Sequence, residues 1–284
     1  MSAEPSAAAR SLADVAPEPG VSKPDPILVA AEVTKTFGGL RAVDVDALEV
    51  QRGAITGLIG PNGAGKTTFF NVLTGFDRPD TGRWTFDGKP MSGVPAHRVA
   101  RSGMVRTFQL TKALARMTVL DNMKLAAVGQ RGERFVPALV PPLWKTQEAG
   151  IEARAEGLLE YFNMLHMRDE FAATLSGGQR KLLEMARALM VEPSMVMLDE
   201  PMAGVNPALT QSLLGHVTGL RDEGTTVLFV EHDMDVVMGI SDWVVCMAQG
   251  QVIAEGTPEA IARNPEVIDA YLGRRRHGEG EEAS

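Results

Sequence analysis

The chain contains 284 residues, of which 44% are hydrophobic and 23% are charged. This balance is ordinary for globular proteins and excludes fibrous and wholly disordered chains. The formal net charge of −8 disfavours a general nucleic-acid coat, because a surface of that sign repels a polyanion. The single cysteine, Cys246, cannot form an internal disulfide, no signal-peptide pattern opens the chain, and no run approaches the roughly 20 apolar residues of a membrane span. We therefore expect a reducing cytosolic setting, with any membrane connection made through a partner.

Both ends are predicted to lie outside the folded domain. Residues 1–26 are rich in Pro, Ala and Ser and hold almost no large apolar side chains, so we expect a disordered tail there. Residues 274–284 begin with three arginines and end with acidic residues, which is typical of a solvated terminus. The folded domain is therefore expected to span residues 27–273.

The first predicted elements are three short strands. They cover Ile27–Val33, Val45–Val50 and Trp84–Phe86, and Gly or Pro follows or precedes them. Short strands bounded by such residues are typical of hairpins. We expect a small antiparallel sheet in this part of the chain.

Three other apolar runs predict strands that are buried on both faces. They are Ala54–Ile59, Met195–Leu198 and Thr226–Val230, and none shows the alternation of a half-exposed strand. Helical patterns separate them, which favours an α/β fold with a parallel sheet. The apolar positions of two of these helices are Leu182, Met185, Ala186 and Leu189, and then Leu209, Leu213, Val217 and Leu220 after Asn206 as N-cap and Pro207 at the first helical position.

The stretch between residues 118 and 165 lacks a strand of that kind. An apolar stripe at helical spacing runs through Ile151, Ala155, Leu158, Leu159 and Phe162. We therefore expect a helical lobe to interrupt the α/β core.

Residues 60–68 read Gly-Pro-Asn-Gly-Ala-Gly-Lys-Thr-Thr and fit the phosphate-binding pattern GxxxxGK(S/T). The predicted buried strand comes before this loop and an apolar helix follows it, as the motif requires. Its glycines let successive N–H groups point at anionic oxygens, Lys66 adds a charge near the β and γ phosphates, and the Thr67 hydroxyl can ligate Mg²⁺. We predict a nucleoside triphosphate site made by Gly60, Pro61, Asn62, Gly63, Ala64, Gly65, Lys66, Thr67 and Thr68.

An acidic pair, Asp199 and Glu200, stands where the second buried strand stops. Open parallel sheets bind ligands at the carboxyl ends of their strands. We expect Asp199 to be the Mg²⁺ partner, mostly through water, and Glu200 to polarise a water for in-line attack on the γ phosphate. An Asp-Glu pair without the upstream loop would more often be an exposed turn.

Two further segments identify a family. Residues 175–179 read Leu-Ser-Gly-Gly-Gln, and Glu231-His232-Asp233 follows the third buried strand. With the phosphate loop and the acidic pair, in this order, they resemble the nucleotide-binding subunits of ABC transporters. The resemblance implies a P-loop NTPase fold, an α/β RecA-like core with a small antiparallel β subdomain and a helical subdomain inserted at about residues 110–178. It also implies ATPase activity with ATP and Mg²⁺ as cofactors.

The Leu-Ser-Gly-Gly-Gln segment predicts a second anion site. Ser176, Gly177, Gly178 and Gln179 begin a helix and so offer a hydroxyl, N–H groups and the positive end of the helix dipole. Taken alone, the segment could equally be a helix cap. In the family it closes on the ATP of a second subunit, and this chain carries one set of motifs, so the resemblance implies a homo- or heterodimer.

Other roles are carried over by resemblance. Gln109 matches the glutamine that touches Mg²⁺ or the attacking water, and His232 matches the histidine that contacts the γ phosphate. Phe37 matches the aromatic residue that stacks on adenine, although a buried strand-end Phe is nearly as good an interpretation. Asn206 stands where the family usually has Asp. The implied catalytic residues are Glu200, His232 and Lys66, and the implied metal ligands are Thr67, Gln109 and Asp199.

Several segments are similar to the ATP-binding subunit of branched-chain amino acid importers, among them residues 37–43, 71–76, 231–242 and 264–273. This subgroup implies two membrane permease subunits, an extracytoplasmic substrate-binding protein and a peripheral place on the cytoplasmic face of the plasma membrane. Alternatives are a motor for urea or amide import, a lipopolysaccharide exporter, and a non-transport ABC ATPase. The last class usually has paired nucleotide domains, long coiled coils or zinc ligands, so nucleic acid is not an expected partner.

Overall fold

The computed structural model describes residues 7–107, 114–128 and 142–278. The chain divides into two compact units. The core unit comprises Met1–Met104, Ser194–Pro201 and Val217–Ser284, and the helical unit comprises Val105–Pro193 and Met202–His216. The helical unit is therefore larger than the inserted lobe predicted at about residues 110–178, because two helices beyond that range have residues in it.

One sheet of the core unit is antiparallel, as predicted, with strand order β2-β1-β4-β5. Its strands are longer than the apolar pattern indicated. The last residues of β1 are half-buried or exposed and lack an alternating apolar pattern, but they pair with β2 across a turn in which Gly38 and Gly39 both have positive φ. The strands are β1 (Pro26–Phe37), β2 (Leu40–Gln51), β4 (Thr81–Phe86) and β5 (Lys89–Pro90).

The second sheet has six strands in the order β10-β9-β3-β8-β7-β6. Strands β7, β8, β3 and β9 are parallel neighbours, and β10 is antiparallel to β9. Every residue of β3, β7 and β8 is buried, in agreement with the predicted two-sided burial. The strands are β3 (Ile55–Ile59), β6 (Met104–Arg106), β7 (Met195–Asp199), β8 (Thr226–Val230), β9 (Trp243–Ala248) and β10 (Gln251–Gly256).

Strand β8 lies between β3 and β7, and all three end at the same edge of the sheet. The phosphate-loop sequence begins directly after β3 and the acidic pair stands at the end of β7. At the usual strand spacing, these two chain segments are about 10 Å apart across the sheet. The residues that follow β8 therefore emerge between them.

Helices of the core unit pack around the sheets through large apolar side chains such as Phe69 and Phe70, which are fully buried. The helices are α1 (Ala7–Leu12), α2 (Lys66–Leu73), α3 (Ala96–Arg101), α8 (Met234–Ile240), α9 (Pro258–Ala262) and α10 (Pro265–Gly278). Among the described residues, no helix combines the length and the apolar composition that crossing a membrane requires.

The helical unit contains α4 (Val119–Ala126), α5 (Pro142–Tyr161), α6 (Gly177–Leu189) and the first part of α7 (Pro207–Asp222). Its buried polar centre is Asn122, whose amide accepts from the Leu114 N–H at 2.8 Å and donates to the carbonyl oxygens of Leu114 and Thr118 at 3.1 and 2.9 Å. Most positions of the predicted apolar stripes face inward in this unit. Ile151 and Leu158 are half-buried, and the buried positions are Ala155, Leu159, Phe162, Leu182, Met185, Ala186 and Leu189.

Residues 7–25 differ from the disordered tail expected over residues 1–26. They begin with α1, and Leu12 is fully buried in the hydrophobic core. Farther along, the Lys23 ammonium lies 2.8 Å from the Glu255 carboxylate, and both side chains are fully buried. The segment has no apolar pattern of its own because isolated residues, rather than a continuous face, attach it to the core unit.

Candidate functional site

The loop between β3 and α2 needs glycine at two positions. Gly60 and Gly65 have φ of 146° and 98°, values that L side chains rarely adopt. A Cβ at Gly60 would lie 2.0 Å from the Met247 carbonyl oxygen, and one at Gly65 would lie 2.2 Å from that of Ala42. The loop is thus pressed against neighbouring backbone, and its path depends on the absence of side chains.

The loop folds around its own lysine. Lys66 is 6% exposed, and its ammonium donates to the carbonyl oxygens of Gly60 and Pro61 at 2.6 and 3.1 Å. Helix α2 begins after Gly65, which offers no side-chain cap to the first-turn N–H groups. A buried cation and the uncapped amino end of a helix are the chemistry that binds phosphate.

The acidic pair stands one strand beyond β8, at the end of β7. Asp199 is 5% exposed, and Glu200 follows in a left-handed conformation with φ of 48°. The Glu200 N–H donates to the Val230 carbonyl oxygen at 3.0 Å, which extends the pairing of β7 with β8 by one residue. This bond places the Glu200 side chain where β8 ends.

His232 follows β8 and meets Glu200. The His232 Nε2 and the Glu200 Oε1 are 2.5 Å apart, with the imidazole about half exposed and the carboxylate mostly covered. The His232 N–H donates to the carboxylate of its buried neighbour Glu231 at 3.2 Å. The structure thus brings together two of the predicted catalytic residues, which are 32 positions apart in the chain.

The donors at this edge fit Mg²⁺ rather than a softer metal. Thr67 is an exposed hydroxyl in the first turn of α2, and Asp199 is a buried carboxylate at the end of β7. Both offer hard oxygen atoms. Among the described residues no group of three or more His, Cys, Asp or Glu side chains could hold a metal ion without other ligands. A cation here would need phosphate oxygens and water to complete its coordination, which is the usual arrangement for Mg²⁺.

Phe37, the last residue of β1, has an exposed ring. It is 48% exposed, and the Lys35 ammonium lies 5.3 Å from the ring centroid. The interpretation of Phe37 as a buried strand-end residue is therefore wrong. An exposed aromatic ring offers a surface on which a flat base can stack.

The predicted second anion site is the amino end of α6. Ser176 is the N-cap: its hydroxyl accepts from the Gln179 N–H at 3.3 Å, and the Gln179 side chain accepts from the Ser176 N–H at 2.8 Å. A Cβ at Gly178 would lie 1.9 Å from the Leu209 Cδ2, whereas one at Gly177 would meet nothing within 4 Å. The two glycines therefore differ: Gly178 permits packing against α7, and Gly177 stands free at the tip.

Two further predicted residues have different outcomes. Asn206 is a cap of α7, as expected, with its side-chain oxygen accepting from the Leu209 N–H at 2.9 Å. Gln109 lies outside the described residues.

Sequence reasoning missed a side chain that touches the loop. The Tyr271 hydroxyl, on α10, accepts a hydrogen bond from the Gly60 N–H at 2.8 Å. Burial, reinforced by the neighbouring Cys246, raises the pKa of Tyr271 to about 12. The two partners are 211 positions apart, and no local pattern signals such a contact.

Family models match most of these elements. The model described as ABC transporter matches residues 43–203, and the model described as branched-chain amino acid ATP-binding cassette transporter matches residues 251–277. The probable branched-chain amino acid transport ATP-binding protein LivG of Archaeoglobus fulgidus is 44% identical over 87% of this chain and 95% of its own length. The high-affinity branched-chain amino acid transport ATP-binding protein BraF of Pseudomonas aeruginosa is also 44% identical, over 87% of this chain and 98% of its own.

Solved structures agree with the fold. A nucleotide-free ATP-binding cassette from an ABC transporter is 37% identical, covers 87% of this chain and 98% of its own, and superposes with a TM-score of 0.76. The ADP conformation of the cassette MJ1267 is 35% identical, covers 87% of this chain and 99% of its own, and gives a TM-score of 0.73. The chain therefore belongs to the ABC transporter family, as one of its ATP-hydrolysing, nucleotide-binding cassettes.

Proposed function

We propose that this chain is the ATP-hydrolysing motor subunit of an importer of branched-chain amino acids. One observation carries the chemistry: the phosphate loop, the acidic pair and His232 stand at the ends of three adjacent parallel strands, and His232 contacts Glu200 at 2.5 Å. The cargo is inferred from the names of relatives that match nearly their whole length.

The roles of the loop and acidic residues follow from their surroundings. Residues 60–68 hold the triphosphate, with Lys66 turning from the loop carbonyls to the β and γ phosphates, and Phe37 stacks on the adenine. Glu200 orients and polarises the attacking water, while His232 holds Glu200 in place and donates to the γ phosphate. Positioning and electrostatic stabilisation supply most of the rate in this chemistry.

Thr67, Asp199 and Gln109 would hold Mg²⁺ beside the phosphates. The bound ion supplies charge neutralisation on the β and γ oxygens. Asp199 is suited to this task because its burial at the strand end restricts its position, and a hard carboxylate oxygen reaches the ion directly or through water.

The working form is a dimer, with either a second copy or a sister subunit. Residues 176–179 present a helix amino end with an exposed Ser176, and each chain has one such tip and one phosphate loop. Closure of the tip of one subunit on the phosphate held by the other gives each ATP two anion-binding faces. Hydrolysis then reopens the pair.

The pair drives two membrane permease subunits, which receive cargo from an extracytoplasmic substrate-binding protein. The chain itself sits peripherally on the cytoplasmic face of the plasma membrane. A permease helix contacts the helical unit near residues 110–117. The motor thus acts on the cargo only through its partners.

Copurification from mild-detergent membranes, followed by reconstitution in proteoliposomes, tests this function. We expect two permease subunits to copurify and the ATPase rate to rise when a substrate-binding protein loaded with leucine is added. Stimulation by urea, short amides or lipopolysaccharide in place of leucine would reassign the cargo. Recovery without any permease would overturn the transport function.

A further inference from the structure

The phosphate loop is anchored on its amino side by a contact that the proposed function does not use. Strand β3 ends at Ile59, whose position pairs with Cys246 of β9. The next N–H, that of Gly60, donates to the Tyr271 hydroxyl at 2.8 Å. A side-chain oxygen from α10 thus continues the hydrogen bonding of the strand into the first residue of the loop.

Helix α10 holds this hydroxyl by packing. The helix begins at an Asn264 cap, whose side-chain oxygen accepts from the Glu266 N–H at 2.9 Å. Val267 is 4% exposed and stands one turn before Tyr271, so the two side chains share the face that is turned to the core unit. Ile268, three positions before Tyr271, lies at the edge of this face and is 44% exposed. Burial of one face fixes the helix, and the helix fixes the Tyr271 oxygen.

The C-terminal part of the chain touches the loop at a second point. In the turn between β9 and β10, the Gly250 N–H donates to the Ala64 carbonyl oxygen at 2.9 Å, and its carbonyl oxygen accepts from the Asp44 N–H at 2.8 Å. Both contacts, at Gly60 and at Ala64, come from residues after 245. Residues of the C-terminal segment therefore form hydrogen bonds with the phosphate loop at two points, Gly60 and Ala64.

The Tyr271 contact differs from the other restraint on Gly60. The Gly60 carbonyl oxygen accepts from the Lys66 ammonium at 2.6 Å, and Lys66 is the residue that the proposed function turns towards the phosphates. The Tyr271 hydroxyl takes no part in that movement, because it contacts the N–H side of Gly60. The bond from α10 can therefore persist while nucleotide binds.

We propose that Tyr271 is a positioning residue for the phosphate loop and links the C-terminal helix to nucleotide affinity. The proposal rests on the assignment of residues 60–68 as the nucleotide site. The hydroxyl holds the free loop in the shape that accepts phosphate, so binding does not have to order it. Tyr271 touches no reacting atom, and its effect passes through the Gly60 backbone.

The test is Tyr271→Phe, which removes one oxygen and retains the ring. The chain has two tyrosines, so Tyr161→Phe is a matched control. The Tyr161 ring packs on Phe162 and His216 in the helical unit, with centroids 5.1 and 4.9 Å away. Binding of fluorescent ribose-labelled ADP, competed by ATP, gives the dissociation constant for each protein.

For Tyr271→Phe we expect the Kd to rise about fivefold, the worth of one net hydrogen bond. The KM for ATP should rise by a similar factor with kcat nearly unchanged, because the loss is equal in the ground and transition states. Tyr161→Phe should change Kd by less than about twofold. Hydrogen exchange at the Gly60 amide, followed by NMR, should accelerate in Tyr271→Phe alone and reports the contact directly.

Each outcome is decisive. If the unsubstituted chain binds the probe and Tyr271→Phe binds it equally well, or if Gly60 exchange is unchanged, the positioning role is wrong while the nucleotide site stands. Equal weakening in both variants would show a general effect of tyrosine removal and would also overturn the role. If the unsubstituted chain binds neither ADP nor ATP, the proposed function itself fails, and the role of Tyr271 falls with it.

Discussion

At the scale of single residues, both the backbone and the side chain of Glu200, the proposed general base, are restrained. Its φ of 48° is a strained value for a residue with a Cβ, and its N–H is tied to Val230 while its carboxylate meets His232. These restraints fix both the backbone and the side chain of one residue. Such restraint suits a group that must orient a water molecule accurately.

Glu200→Gln is therefore expected to separate binding from hydrolysis. The amide keeps the shape and can still bond His232, but it cannot polarise water as a carboxylate does, so the ATPase rate should fall by about 100-fold or more. ATP should still bind and should leave a long-lived dimer, seen by size-exclusion chromatography with ATP present. Glu223→Gln, an exposed control at the end of α7, should keep full turnover. Undiminished steady-state turnover in Glu200→Gln would contradict the proposed role.

At the scale of elements, the amino end of α6 combines a ligand-facing tip with a helix contact. Gly177 faces open space, and Gly178 leaves room for Leu209 of α7. The same Leu-Ser-Gly-Gly-Gln segment therefore carries two separate physical requirements, one for a ligand and one for packing. Each requirement can be altered alone.

Gly178→Ala should destabilise the helical unit by about 0.5–1.5 kcal/mol, because the new Cβ meets the Leu209 Cδ2 and forces the end of that side chain to shift. Gly177→Ala has no such contact and should be neutral or slightly stabilising, since alanine favours the helix. Thermal unfolding of both variants checks the difference. Adding Leu209→Ala to Gly178→Ala should recover part of the loss caused by the clash, and an unchanged melting temperature in Gly178→Ala would contradict this view of the packing.

The elements that sequence predicts well are those whose signal is continuous. Strands β3, β7 and β8 are unbroken buried runs, and the phosphate loop is nine consecutive residues, so their place at one sheet edge could be anticipated. Strands β9 and β10 were not predicted, and neither was Tyr271, because the hydroxyl meets Gly60 only after α10 has packed. Contacts between distant segments depend on tertiary structure, so they produce no periodic pattern in the sequence.

At the scale of the whole molecule, a buried ion pair attaches residues 7–25 to the rest of the core unit. Lys23 and Glu255 are fully buried, and Glu255 also accepts from the Trp243 indole N–H at 2.9 Å and the Val21 N–H at 3.0 Å. A Cβ on Gly256 would lie 2.8 Å from that of Pro17, so the segment runs tightly past β10. The amino-terminal residues 7–25 thus form part of the folded unit.

Lys23→Met should lower the free energy of unfolding by about 3–5 kcal/mol, because it leaves the Glu255 carboxylate buried without its cation. Urea titration followed by tryptophan fluorescence measures this loss. Lys35→Met breaks the more exposed pair with Asp80 and should cost less than about 1 kcal/mol. Equal effects of the two substitutions would mean that residues 7–25 do not hold the core unit.

Alkali should weaken the fold through two buried acids. Burial raises the pKa of Cys246 from 9.0, and that of Tyr271 from 10.0, to about 12 in each case. Both groups stay protonated in the folded chain while the unfolded chain loses its protons, so their contribution to stability is present below pH 9 and is lost as the pH rises from 9 to 12. Each group contributes a slope of up to about 1.4 kcal/mol per pH unit. Unfolding of Cys246→Ala as a function of pH should show a shallower decline, and an identical slope would refute the assignment.

The burial of Cys246 also has a practical consequence. It is the only sulfhydryl in the chain and it is fully buried. Its raised pKa also keeps the thiol protonated, so we expect it not to react with maleimides in the native protein. A thiol introduced at exposed Ser176 would then be the sole target for a spin label. The distance between the labels on two copies would report the separation of the subunits, and the native Cys246 would not have to be replaced first.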